Sequence, residues 1–185
     1  MIIGITGTLG AGKGTIVEYL KSKGFKHYSA RDFITEEIVR RGLPVNRDSM
    51  VEVANDLRAK NGASYVLEEL HKRALAEGGN CILESVRTVG EVEALRKKDD
   101  FYLLAVDADP KLRYDRIVTR GSSTDKVSFE DFMTNEKREC ESDDPAKQNL
   151  TKCIELADFK LENSGTIEEL NKQVEEVLEK IVTSN

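Results

Sequence analysis

No run of apolar residues in this chain is longer than six, at residues 101–106. A helix that spans a bilayer needs about 20, so no membrane span is expected. The opening "MIIGIT" has no basic segment before its apolar residues and no small-residue cleavage site after them, so no secretory leader is expected and the cytoplasm is the expected location. Cysteine is scarce. Cys81, Cys140 and Cys153 are odd in number, far apart and without a C-x-x-C pair, which argues against a disulfide framework and against a zinc knuckle. Positive charge is also short: 28 Lys and Arg face 34 Asp and Glu, for a net charge of −6. Non-specific nucleic-acid binding depends on basic side chains neutralising phosphates. General nucleic-acid binding is therefore not expected, and any phosphate ligand has to be gripped locally. No internal repeat or low-complexity tract is present.

The 185 residues, 39% hydrophobic and 34% charged, suit one compact domain with a real core. Short β-rich runs at 2–6, 26–29, 81–84, 101–107 and 159–162 alternate with helical patterns near 13–23, 31–41, 49–77, 89–98, 110–120 and 166–182. Most of the strand runs are too apolar to alternate, as in parallel strands covered on both faces. The expected class is α/β, with right-handed βαβ crossovers. Two helices are well bounded. Asp109 as N-cap, Pro110 at the first position and Gly121 just past the end delimit 110–120. Thr166 and Glu169 form a capping box before the apolar stripe Ile167, Leu170, Val174, Val177, Leu178 and Ile181. The stretch 121–149 differs from the rest: it holds eight acidic and four basic residues and few apolar anchors. Ser128 can cap a short helix there, so a helix-bearing flap is expected.

Gly7-x-x-x-x-Gly12-Lys13 follows an expected strand and opens an expected helix. Glycines there let successive backbone N–H groups face phosphate oxygens, the helix N-terminus adds its dipole, and a lysine places a point charge among the phosphates. The plain alternative is a glycine-rich turn that binds nothing. Position 14 is Gly, where the common pattern has Ser or Thr, and Thr15 follows.

The form "GTLGAGKGT" resembles the loop of adenylate kinases and related nucleoside monophosphate kinases, in which Gly follows the lysine and Thr comes next. The segment "HYSARDFITEEIVRRG" resembles the acceptor-site segment S-x-G-D of that family through Ser29 and Asp32. "CILESVRT" resembles its D-G-x-x-R segment through Arg87. Over nearly the full length, including "FYLLAVDADPKLRYDRIVTRG" and "ADFKLENSGTIEEL", the chain is similar to small archaeal nucleotide kinases related to adenylate and cytidylate kinases. The resemblance implies a three-layer P-loop NTPase fold with a five-stranded parallel sheet, an acceptor-binding helical part at about 30–77 and a short helical lid at about 121–149. It also implies ATP and Mg2+ as cofactors, with a small phosphorylated or nucleotide-like acceptor as partner and a monomer or dimer as the assembly. Three positions depart from the pattern: Arg31 stands where Gly is usual, Thr35 where adenylate kinases carry an acceptor-gripping arginine, and Glu84 where the third strand usually ends in Asp.

The resemblance assigns Thr8, Leu9, Gly10, Ala11, Gly12, Lys13, Gly14 and Thr15 to the nucleotide, with Asn163 in the turn "NSGT" near its adenine. It assigns Lys13, Arg87, Arg116, Arg120 and Asp32 to catalysis, and Thr15, Asp32 and Glu84 to the metal's surroundings. Each also has a plain reading. Arg113, Arg116 and Arg120 share one side of a helix and can be a solvated basic face paired with Asp109 and Asp115. Arg138 can close over phosphates or sit on the surface. Asp32 can be a helix cap, Glu84 an exposed strand end, and "NSGT" a capped turn. His27 and His71 have no partner at a telling spacing and are given no role. A monophosphate acceptor needs no general base, whereas a hydroxyl acceptor such as dephospho-coenzyme A needs a carboxylate, and Asp32 is the candidate. A nucleotide-binding regulator with little turnover is the reading of a different class.

Overall fold

In a computed structural model of the chain, residues 1–98, 100–121, 128–140 and 147–184 are described. The strands β1 (Ile2–Gly7), β2 (Lys26–Ser29), β3 (Cys81–Glu84), β4 (Phe101–Asp107) and β5 (Phe159–Glu162) form one parallel sheet in the order β2-β3-β1-β4-β5. Successive side chains on a strand point to opposite faces, and here both faces are covered. Ile3, Ile5, Ile82, Leu104 and Val106 pack against α1 (Lys13–Ser22) and α9 (Ile167–Ser184) through Ile16, Leu20, Leu170 and Val174. On the other face Ile2, Leu83 and Leu103 meet α2 (Ala30–Arg40), α3 (Arg47–Asn61), α4 (Tyr65–Glu77), α5 (Val89–Arg96) and the short α8 (Leu150–Glu155). This is a three-layer α/β fold.

The strands are all parallel, so they deliver their carboxyl ends to one edge of the sheet. Ser29 lies opposite Glu84, Glu84 opposite Ile5, and Gly7 opposite Val106. The expected helix at 49–77 is two helices. Gly62, with φ +106, ends α3 and turns the chain before α4. Val53 and Leu57 before the break, and Val66 and Leu70 after it, bury in the same core. The helix α8 was not expected. α2 is capped by Ser29, whose side chain accepts from the Asp32 N–H; Asp32 is its third residue and not its cap.

Asp109, Pro110 and Gly121 delimit α6 (Pro110–Arg120) as their types require, and Thr166 with Glu169 closes a capping box at α9. Within the expected lid, Ser128 accepts from the Asp131 N–H at the start of α7 (Phe129–Cys140). Segments 122–127 and 141–146 of that stretch, and the side chain of Arg138, lie outside the described residues. Phe129 and Phe132 pack on Tyr114 of α6 with ring centroids 5.2 and 5.7 Å apart. Among the described residues no helix is long and apolar enough to cross a membrane.

Candidate active site

The phosphate-type loop lies between β1 and α1 and is braced from three sides. Gly12 is the N-cap of α1 with φ +107, a conformation that favours glycine, and a Cβ there would stand 2.1 Å from the Asn163 amide nitrogen. That amide donates to the Ala11 carbonyl at 2.7 Å, and Asn163 and Ala11 are both buried. Thr8 is buried and its hydroxyl donates to Asp107 at 2.6 Å. The Leu9 carbonyl accepts from Arg113 at 3.3 Å. Gly10 lies between these braces. Gly14 is exposed and Thr15 half-buried, both in the first turn of α1, where the Thr15 N–H donates to the Gly12 carbonyl at 3.0 Å.

The Lys13 ammonium folds back onto the loop and donates to the carbonyls of Gly7 and Thr8, each at 2.8 Å. Burial pushes its pKa down to about 7, and the Arg87 guanidinium adds to the shift, while Glu84 and Glu139 oppose it. Lys13, Glu84 and Arg87 are therefore electrostatic neighbours. Glu84 is half-buried, and its Oε2 lies 2.9 Å from His27 Nε2. That hydrogen bond holds the Glu84 carboxyl below the usual carboxylate range, with Lys13 and Arg87 adding to the effect. The sequence had left His27 without a partner; the pairing of β2 with β3 supplies one.

Arg87 follows β3 in a tightly held turn. Ser85 takes a left-handed φ of 73, and its N–H and that of Val86 both donate to the Ile5 carbonyl at 3.0 Å. The fully buried Glu91 accepts from the backbone N–H of Arg87 at 2.8 Å and of Thr88 at 3.1 Å, and also pairs with buried Arg58 at 3.2 Å. On the other side, the Asn149 N–H donates to the Arg87 carbonyl at 2.9 Å. The guanidinium meets Glu139 of α7 at 3.1 Å and Gln148 at 2.9 Å.

The three arginines of α6 differ in setting. Arg113 is 2% exposed, donates to the Ala108 carbonyl at 2.8 Å, and makes a two-pronged ion pair with Glu136 of α7. It is not a solvated surface group, and its partners are Glu136 and Asp107, not Asp109 or Asp115. Arg116 donates through Nη2 to the Asn163 carbonyl at 2.9 Å, while its Nη1 is buried without a hydrogen-bond partner among the described residues. Arg120, the last residue of α6, is exposed. Asp32 is also exposed, three residues beyond the strand end that faces Glu84. Thr35, half-buried, spends its hydroxyl on the Arg31 carbonyl at 2.8 Å.

Among the described residues no group of three or more His, Cys, Asp or Glu forms a metal cage. The Glu84 carboxylate and Thr15 hydroxyl beside the loop, with Asp32 near the same edge, are hard oxygen donors. Mg2+ is typically held by one or two carboxylates, substrate phosphates and retained waters. This donor set fits that mode. Asp107, Glu136, Glu139 and His27 escaped the sequence reading because each acts through a partner far along the chain, whereas Glu91 was overlooked although Thr88-x-x-Glu91 is a local capping-box signal.

The fold and loop define a P-loop α/β protein. Residues 3–143 match the AAA domain family, and the UPF0200 protein of Thermococcus gammatolerans is 32% identical over 98% of this chain and 96% of its own length. The chain belongs to the AAA domain family and to the UPF0200 proteins. It is also 29% identical to the UPF0200/UPF0201 protein of Archaeoglobus fulgidus, of which it spans 55%. Solved structures with this fold include TT1252 from Thermus thermophilus, with a TM-score of 0.62 and 22% identity over 97% of both chains. Another is dephospho-CoA kinase from Campylobacter jejuni, with a TM-score of 0.58 and 15% identity over 100% of this chain and 98% of that one.

Proposed function

We propose that the protein is an ATP-dependent phosphotransferase that moves the γ-phosphoryl group of ATP to a nucleoside monophosphate. The observation that carries this reading is the lysine of the loop. A cation that donates to its own loop's carbonyls, with a pKa lowered by burial, is poised to exchange those contacts for phosphate oxygens. In this reading Thr8 to Thr15 receive the triphosphate, with Asn163 holding the loop in shape and its turn bordering the base. The 30–77 helical part receives the acceptor, and the 121–149 segment covers the site as a lid.

Transfer breaks the bond from the γ-phosphorus to the ADP oxygen and forms one to the acceptor oxygen. Charge spreads over the three oxygens of the moving group, and the protein's task is placement and neutralisation. Lys13, after β1, and Arg87, after the neighbouring β3, supply charge. Arg116 offers a buried N–H that has no acceptor among the described residues, and Arg120 ends the same helix. Bound Mg2+ would neutralise phosphate charge, with Glu84, Asp32 and Thr15 ordering its surroundings. A monophosphate is already ionised, so no residue need accept a proton.

One observation favours a hydroxyl acceptor such as dephospho-coenzyme A. Thr35 offers no cation to an acceptor phosphate, while Asp32 presents an exposed carboxylate at the same helix. In that case Asp32 takes the hydroxyl proton. The test of phosphotransfer is label moving from γ-labelled ATP to an added acceptor. Lys13→Ala should lower that rate by at least about 100-fold; a rate within a few-fold of wild type removes the loop from the chemistry.

A further inference from the structure

We propose that His27 is the positioning residue of the site: through Glu84 Oε2 it fixes the carboxylate that orders the water shell of nucleotide-bound Mg2+, leaving Oε1 to do the ordering. The inference rests on the reading of Glu84 as a metal-facing carboxylate.

The strand register makes the pairing specific. His27 lies opposite Ile82, and Ser29 lies opposite Glu84. Ile82 packs on the α1 face of the sheet, so His27 and Glu84, two residues on along their pair, point to that same face as diagonal neighbours. A diagonal neighbour is reachable only by long side chains. Aspartate, the residue that usually ends this strand in the resembling kinases, is one methylene shorter, so the reach to the imidazole is a property of glutamate here. Glutamate also has one more rotatable bond and loses more freedom when its carboxylate must be held in place. A ring N–H donated to one oxygen removes part of that cost before nucleotide binds. An ionised carboxylate only accepts, so in the 2.9 Å contact His27 Nε2 carries the hydrogen and donates. The charges of Lys13 and Arg87 also act on this carboxylate, which ties it to the lysine of the loop as well as to the histidine.

A purely structural pair would behave differently. The side chains of His27 and Glu84 are 24% and 21% exposed, and ion pairs with access to solvent add little to folding. His27 variants should therefore fold, and their effect should appear in metal dependence. The probe is the non-hydrolysable analogue adenosine 5′-(β,γ-imido)triphosphate, titrated calorimetrically into the full chain with EDTA and then at rising Mg2+. For His27→Ala the expected affinity in EDTA equals wild type, and the Mg2+ concentration for half-maximal tightening rises about tenfold. For His27→Gln, whose amide nitrogen sits at about the reach of Nε2, the expected midpoint stays within about threefold of wild type. A His27→Ala midpoint equal to wild type overturns the inference, as does a loss of the same size in EDTA. Wild-type binding indifferent to Mg2+ instead overturns the metal reading of Glu84, and this inference with it.

Discussion

The side-chain amide of Asn163 donates to the main-chain carbonyl of Ala11 at 2.7 Å, joining the turn after β5 to the phosphate loop across 152 residues of chain. The same turn holds Arg116 through the Asn163 carbonyl, so one residue braces both the loop and Arg116. Asn163→Ala leaves a buried carbonyl without its donor. The expected cost is about 1–3 kcal/mol, seen as a melting midpoint several degrees lower, together with weaker binding of an ATP analogue. An unchanged midpoint and affinity would show that the loop holds its shape without this brace.

Lys13 makes nucleotide binding pH-dependent. Its folded pKa of about 7 lies below the ordinary 10.5, chiefly because of burial and then Arg87. Between these values the unfolded chain holds the extra proton. The lysine's cost to folding is therefore full below about pH 7 and is relieved as pH rises toward 10.5. Phosphates restore the charge, so at pH 8 binding of an ATP analogue should take up to about one proton from solution. Calorimetry in buffers of different ionisation enthalpy measures this uptake, and Lys13→Met should abolish it. Equal heats in all buffers for the wild type would contradict the account.

α7 is fastened over the loop by charge. Glu136 pairs with a guanidinium that is 2% exposed, and Phe132 lies beneath the same group with its ring centroid 5.5 Å away. Glu136→Ala leaves the buried cation with only Asp107, at 3.5 Å, as its counter-charge, at a cost of up to about 3 kcal/mol. Denaturant unfolding should show this loss, and proteolysis should cut near α7 faster. Glu136→Gln keeps the shape and should lose less; equal stability of Glu136→Ala and wild type would show the pair to be idle.

Gly14 is the opposite of Gly12. A Cβ at Gly14 would meet nothing within 4 Å, and its backbone is helical. Gly14→Ala should raise stability by about 0.5 kcal/mol through helix propensity and the lost freedom of the unfolded chain. A thermal melt checks this; a clear destabilisation would mean that the loop needs the glycine for reasons other than space.

The sheet was legible because its strands are short, apolar and punctuated, and α6 and α9 because Asp109, Pro110, Gly121 and the Thr166–Glu169 box are local signals. Gly62 was missed because helical patterns stand on both sides of it and a lone glycine inside such a pattern is a weak stop signal, and α8 because six residues hold too little pattern. The loop residues were legible as a motif. Their braces were not: Asn163 to Ala11, His27 to Glu84 and Arg113 to Glu136 are set by strand register and helix packing, which spacing along the chain does not encode.

The central claim is transfer to a nucleoside monophosphate, and the identity of the phosphorylated product tests it most directly. The protein is incubated with ATP and Mg2+ alongside a panel of ribo- and deoxyribonucleoside monophosphates and dephospho-coenzyme A, and the products are separated by chromatography. The predicted result is a nucleoside diphosphate, formed by Asp32→Asn at a rate within about tenfold of wild type because an ionised acceptor needs no base. Product from dephospho-coenzyme A alone, lost with Asp32→Asn, or tight ATP binding with no acceptor phosphorylated, would contradict it.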